Sequence, residues 1–89
     1  MQLILYSKPG CHLCEGLQEK LRQVGNIEFE LEIRNINTRN DWFAAYQYEI
    51  PVLCQKMADD REQVLPRLSP RATVAKLEQM LQQNLRTLS

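Results

Sequence analysis

Apolar positions follow three different rhythms along this 89-residue chain. Residues 2–6, "QLILY", read as a short strand without clean alternation, which predicts burial on both faces. Pro9 and Gly10 break that run as a loop. From His12 the rhythm turns helical. Leu13, Leu17, Leu21 and Val24 are spaced by four, four and three and share one face, with Gly25 and Asn26 as the stop. Gly16 inside this helix costs about 1 kcal/mol against alanine, which a close packing contact would explain.

The third rhythm is strict alternation. In "EFELEIRNI", residues 28–36, Phe29, Leu31 and Ile33 point one way, and Glu28, Glu30, Glu32 and Arg34 the other. This predicts a half-exposed strand at a sheet edge, where charges discourage pairing with other chains. "NTRNDWFAAYQY" then predicts a short helix started by Asn37, Thr38 or Asn40, with Trp42, Phe43 and Tyr46 on one face. "PVLCQ" from Pro51 predicts a third strand. "QVLPRL" predicts a fourth, held to an edge by Pro66. In the last helix Ser69 is the expected N-cap and Pro70 the first helical residue. Val74, Leu77, Leu81 and Leu85 form its buried stripe, widened by Met80. The order is strand, helix, strand, helix, strand, strand, helix. The first three elements suit a right-handed crossover between parallel strands. The short link "KMADDREQ" suits an antiparallel hairpin.

Composition narrows the function. One domain over residues 1–89 is expected, with a modest core from a 44% hydrophobic fraction. Eleven basic residues balance eleven acidic ones, so charge gives no reason to expect nucleic acid or an anionic membrane as partner. No apolar run approaches the roughly 20 residues of a membrane span, and "LILY" is short for a signal peptide. A cytoplasmic monomer is the expectation. Three cysteines, Cys11, Cys14 and Cys54, are too few for a disulfide scaffold. In a reducing compartment a close pair points to catalysis or metal binding.

"YSKPGCHLCEGL" places Cys11 and Cys14 at the predicted strand-to-helix junction. Positions three apart on a helix have β-carbons about 5–6 Å apart, close enough to cycle between dithiol and disulfide. An ordinary cysteine has a pKa near 8.5, and a helix N-terminus favours its thiolate. Cys11, at that end, is the expected exposed nucleophile. Cys14, one turn in, is suited to resolving the mixed disulfide. Lys8 adds positive potential nearby. His12 either stabilises the thiolate when protonated or sits in solvent. Cys54 reads as a small core hydrophobe, with a regulatory or intermolecular thiol as the other reading. Glu15, Glu19 and Lys20 read as a solvated helix face.

These residues carry a family resemblance. "YSKPGCHLC" and "YQYEIPVL", Tyr46 to Leu53, resemble segments of the glutaredoxins within the thioredoxin fold, small bacterial and plastid-type proteins in particular. The resemblance covers nearly the whole chain. It implies an α/β thioredoxin-like fold, βαβαββα, with a four-stranded mixed sheet and three helices. It implies Cys11 as nucleophile, Cys14 as resolving thiol and Pro51 as a cis-proline. It also implies the Ile50 backbone as the place where a cysteinyl substrate adds as a strand, and Lys8 as a partner for a substrate carboxylate, with Arg39 as another or as a solvated helix-end charge. The implied activity is reduction of protein disulfides or glutathione mixed disulfides, with no bound cofactor and no metal. Glutathione or a thioredoxin-type reductase would recycle the pair. Three positions depart from the family pattern. His12 follows Cys11 where dithiol members have proline. Glu49 replaces the threonine of Thr-Val-Pro. "LPRLSP" stands where a Gly-Gly-x-Asp-type turn holds glutathione, and Asp59 and Asp60 come too early to replace it. Two other readings of the cysteine pair remain open: a zinc or iron–sulfur site completed by His12 or partner ligands, and a redox-inert interaction module.

Overall fold

A computed structural model describes residues 1–86. Strand β1 (Gln2–Ser7) is central, and Leu3 to Tyr6 are all buried, as an unalternated apolar run requires. Helix α1 (His12–Gln23) leads to β2 (Glu30–Asn35), which pairs parallel to β1. A 3-10 turn, Ile36–Thr38, precedes α2 (Asn40–Tyr46). Strand β3 (Val52–Lys56) pairs antiparallel to β1, and β4 (Glu62–Val64) antiparallel to β3. Helix α3 (Val74–Asn84) ends the order βαβαββα. The four-stranded mixed sheet runs β2-β1-β3-β4, so β2 and β4 are the edges.

Alternation along the central strands feeds two cores. Leu3, Leu5 and Leu53 pack with Leu21 of α1 and Leu77, Met80 and Leu81 of α3. Ile4, Tyr6, Val52 and Cys54 face the other way, with Ile36, Trp42 and Tyr46. That second face is not the plain solvent face the alternation of residues 28–36 predicts. Arg34 is largely covered. It donates to Glu32, to the Tyr6 hydroxyl (2.8 Å) and to Glu62 (3.1 Å). Its guanidinium also lies over the Tyr6 and Trp42 rings, 5.5 and 5.0 Å from their centroids. Burial opposes the charge on Arg34, but the hydrogen bonds to Glu32 and Tyr6 outweigh it and raise its pKa above the ordinary value. Burial and the hydrogen bond to Glu62 push the Tyr6 phenol up as well. Under the first face, the buried Gln55 uses both ends of its amide. Nε2 donates to the Arg86 carbonyl (2.8 Å), and Oε1 accepts the Arg86 N–H (2.9 Å).

Several boundaries differ from the sequence reading. The last helix starts at Val74, capped by Thr73, whose Oγ1 accepts the Lys76 N–H at 3.1 Å. Ser69 instead bonds locally to the Arg71 N–H (3.2 Å) and the Ala72 N–H (2.9 Å), closing a turn that does not propagate. β4 stops at Val64, two residues before Pro66. None of Asn37, Thr38 or Asn40 caps α2. Asn35 caps the 3-10 turn through the Asn37 N–H, and Arg39 stands at the start of α2 without a side-chain cap. Helix α1 ends at Val24 in extended conformation rather than in a left-handed glycine cap. Leu13 leaves the expected buried face and is 49% exposed, and Phe43 likewise leaves the Trp42–Tyr46 face. A Cβ built on Gly16 meets nothing within 4 Å, so no close packing contact explains that glycine.

Cys54 is a fully buried free thiol. Burial, then the negative charge of Glu62, pushes its pKa from 9.0 up to about 11. The folded state therefore holds its proton between pH 9 and 11 while the unfolded chain releases it. Stability from this group is complete below pH 9 and falls by on the order of 2 kcal/mol as pH rises through that window. Urea unfolding at pH 8 and pH 11 should show this loss in the wild type. The loss should be smaller in Cys54→Ala by roughly that amount. An equal loss in both proteins would rule out Cys54 as the source.

Candidate active site

The strand-to-helix junction is built by one turn. Gly10 adopts φ +80°, a left-handed conformation that glycine takes without Cβ strain. The Cys11 N–H donates to the Lys8 carbonyl (3.3 Å) and closes the turn. This delivers Cys11 to the N-cap of α1, where its Sγ accepts the Cys14 N–H at 3.2 Å. The sulfur thus occupies the place of a capping oxygen, facing an otherwise unpaired backbone donor. Cys11 and Cys14 form a disulfide with α-carbons 5.3 Å apart, inside the usual range of about 4.4–6.8 Å. Cys11 is half-buried; Cys14 is 2% exposed.

The neighbours divide into two sides. The Ile50–Pro51 bond is cis, and Pro51 lines a groove of about 160 Å³ with His12 and Leu13. Lys8 lies on the other side, along a shallow depression shared with Cys14, Glu15 and Ile33. Lys8 and Pro51 are therefore not brought to one pocket. The Ile50 N–H is bound to the Tyr46 carbonyl (3.2 Å) and is not free for another partner. The His12 side chain is 94% exposed and sits 3.6 Å from Glu15, away from the cores. Arg39 makes a two-point pair with Asp41, both distances 3.0 Å, and lies over Trp42 at 4.8 Å. That pair holds the Asp41 carboxyl below its usual range. Cys54 sits in the far-face cluster with Tyr6 and Ile36. Among the described residues no three His, Cys, Asp or Glu side chains gather as metal ligands.

The groove beside Pro51 is the part that sequence reasoning missed. Its far wall is "PRLSP", residues 66–70, and its floor includes Leu17, Leu77 and Met80. Arg67 ties this wall to the Glu49 carbonyl, and Lys20 Nζ ties it to the Pro70 carbonyl at 2.7 Å. The signal in the sequence was the apolar, cationic make-up of "LPRLSP", which fits an exposed strand edge less well than a groove wall.

A family model described as "Glutaredoxin-like domain (DUF836)" matches residues 2–82. The chain belongs to the glutaredoxin-like domain family. Its fold is also that of a solved structure, an X-ray structure of the structural-genomics target protein XcR50 from X. campestris. The two are 26% identical with a TM-score of 0.64, over 93% of this chain and 99% of that one. A search of curated proteins found no match. Family membership and the Cys-x-x-Cys pair together support a thiol redox role. No helix among the described residues is long and apolar enough to cross a membrane.

Proposed function

We propose that this chain is a thiol–disulfide oxidoreductase that reduces protein disulfides or glutathione mixed disulfides through Cys11 and Cys14. The observation that carries the reading is the Cys11 sulfur seated at the N-cap of α1 and accepting the Cys14 N–H. In the reduced pair that donor and the helix dipole favour the Cys11 thiolate. The thiolate attacks one substrate sulfur. A Cys11–substrate disulfide forms, the substrate S–S bond breaks, and the leaving sulfur takes a proton from solvent. Cys14 then gives up its proton and attacks the Cys11 sulfur, which releases the second substrate thiol and leaves the Cys11–Cys14 disulfide. Two electrons and two protons have passed to the substrate. The burial of Cys14 suits it to this second, intramolecular attack and not to the first.

The pair is recycled by glutathione or by a thioredoxin-type reductase, working in the cytoplasm on a monomer without bound cofactor. Lys8 supplies positive potential on the Cys14 side, and the Ile50 carbonyl and Pro51 receive the substrate backbone. The metal reading would need ligands from a second chain, and no observation favours it over redox cycling. Coupled assays test the reading: one with glutathione and glutathione reductase, the other with thioredoxin reductase. Turnover is expected in at least one. Turnover in neither, with the pair unable to cycle between dithiothreitol and oxidised glutathione, points to the redox-inert module.

A further inference from the structure

The groove between α1 and residues 66–72 is mostly apolar and is lined by Pro51 and by His12 and Leu13, the first residues of the helix that Cys11 caps. Leu13, Leu17, Leu68, Leu77 and Met80 line it, and Leu13 is exposed at its mouth. An apolar surface left open next to a reacting sulfur is expected to meet an apolar group of the substrate. The charges in the lining are one-sided. Lys20 and Arg67 contribute cations, His12 an imidazole, and no Asp or Glu side chain takes part. Both cations already donate to main-chain carbonyls, which fixes them at the rim. A ligand with a free ammonium finds no carboxylate in this lining. An internal stretch of polypeptide has no α-ammonium and can offer apolar and acidic side chains together.

Resting on the oxidoreductase reading, we propose that this groove selects protein substrates, taking an apolar side chain within two residues of the target cysteine in a segment that also carries acidic residues. The apolar side chain lies along Leu13, Leu17 and Met80. The acidic ones face Lys20 and Arg67. Gly16 keeps the groove open, because a side chain there would project into free space on the lining. Glutathione brings carboxylates for Lys20 and Arg67, but its ammonium finds no carboxylate in the lining and it has no apolar side chain for Leu13, Leu17 and Met80, so it gains less from the groove than an apolar, acidic segment does.

The test uses the reduced full chain and synthetic peptides, each with one internal cysteine held as a mixed disulfide with 2-mercaptoethanol. One series has leucine within two residues of the cysteine and glutamate beyond; the other has serine and lysine at those places. Single-turnover rates should favour the best leucine–glutamate peptide by about tenfold, the size of discrimination that burial of a few methylenes provides. Leu13→Ser and Gly16→Leu should each bring that ratio close to one. The first removes lining from an exposed position, and the second fills the groove from a position with room for a side chain. Three outcomes overturn the proposal while leaving the oxidoreductase reading intact. These are equal rates for both series, a ratio unchanged in both variants, and glutathione disulfide reacting as fast as the leucine–glutamate peptide. A preference that fades as protein concentration rises assigns the groove to a second copy and also overturns it. Failure to reduce any of these disulfides overturns the underlying reading itself.

Discussion

Cys11→Ser should lower disulfide reduction by about a thousandfold or more, because a hydroxyl at this position is not ionised near neutral pH and is a far weaker nucleophile than a thiolate. The described neighbours explain why nothing substitutes. Cys14 is buried and cannot meet a substrate sulfur first, and Cys54 lies on the opposite face of the sheet with its thiol pushed up to about 11. Cys14→Ser has a different expected result. Cys11 still attacks and forms a mixed disulfide, but no internal thiol releases it. Exchange with glutathione mixed disulfides survives, and reduction of protein disulfides stalls at the trapped adduct. Mass spectrometry of the Cys14→Ser reaction should detect that adduct on Cys11. Full activity in Cys11→Ser would remove the assignment of roles.

Tyr6→Ala should be the most damaging single change to stability, at about 3–5 kcal/mol. Tyr6 is 2% exposed and belongs to two systems at once. Its ring meets Trp42 edge-on at 5.8 Å and Tyr46 at 4.5 Å. Its hydroxyl donates to Glu62 and accepts from Arg34, so it joins β1 to residues of β2 and β4. Truncation opens a cavity between the sheet and α2, and Arg34 loses one of its partners. For a domain whose total stability is about 5–15 kcal/mol, that is a large share. A fall in Tm of about 15 °C or more is expected by calorimetry. Tyr6→Phe keeps the ring and leaves Arg34 its bonds to Glu32 and Glu62, so it should cost only about 1–2 kcal/mol. Alanine and phenylalanine variants of equal stability would show that the aromatic packing contributes little.

The contrast between what the chain announced and what it concealed follows physical lines. The uninterrupted apolar residues 3–6 marked a central strand and the alternation at 28–36 an edge strand, although in β2 Ile33 ends up exposed and Arg34 covered. The cysteine spacing at a loop-to-helix junction was legible for a similar reason: one turn of helix sets the separation. Ser69 read as the cap, but Thr73 fills that place. Only packing decided between them, since Leu77 and Leu81 seat α3 on the sheet from Val74 onward. Arg34 was read as a solvent-side charge. Its burial depends on Glu62, 28 residues away, a partner no local pattern reveals. The groove was concealed likewise. Leu13 fits a buried helix stripe by spacing, and its exposure follows from where residues 66–70 pass, which is a tertiary fact.

The paired bonds from Gln55 to Arg86 have one further effect. A side-chain amide offering one donor and one acceptor to the same residue imitates a neighbouring strand, so β3 reaches across to a chain segment that belongs to no strand or helix. The end of α3 cannot fray past Leu85 without stranding a buried amide. The Arg86 amide proton should therefore exchange with solvent nearer the rate of the sheet interior than that of a frayed chain end.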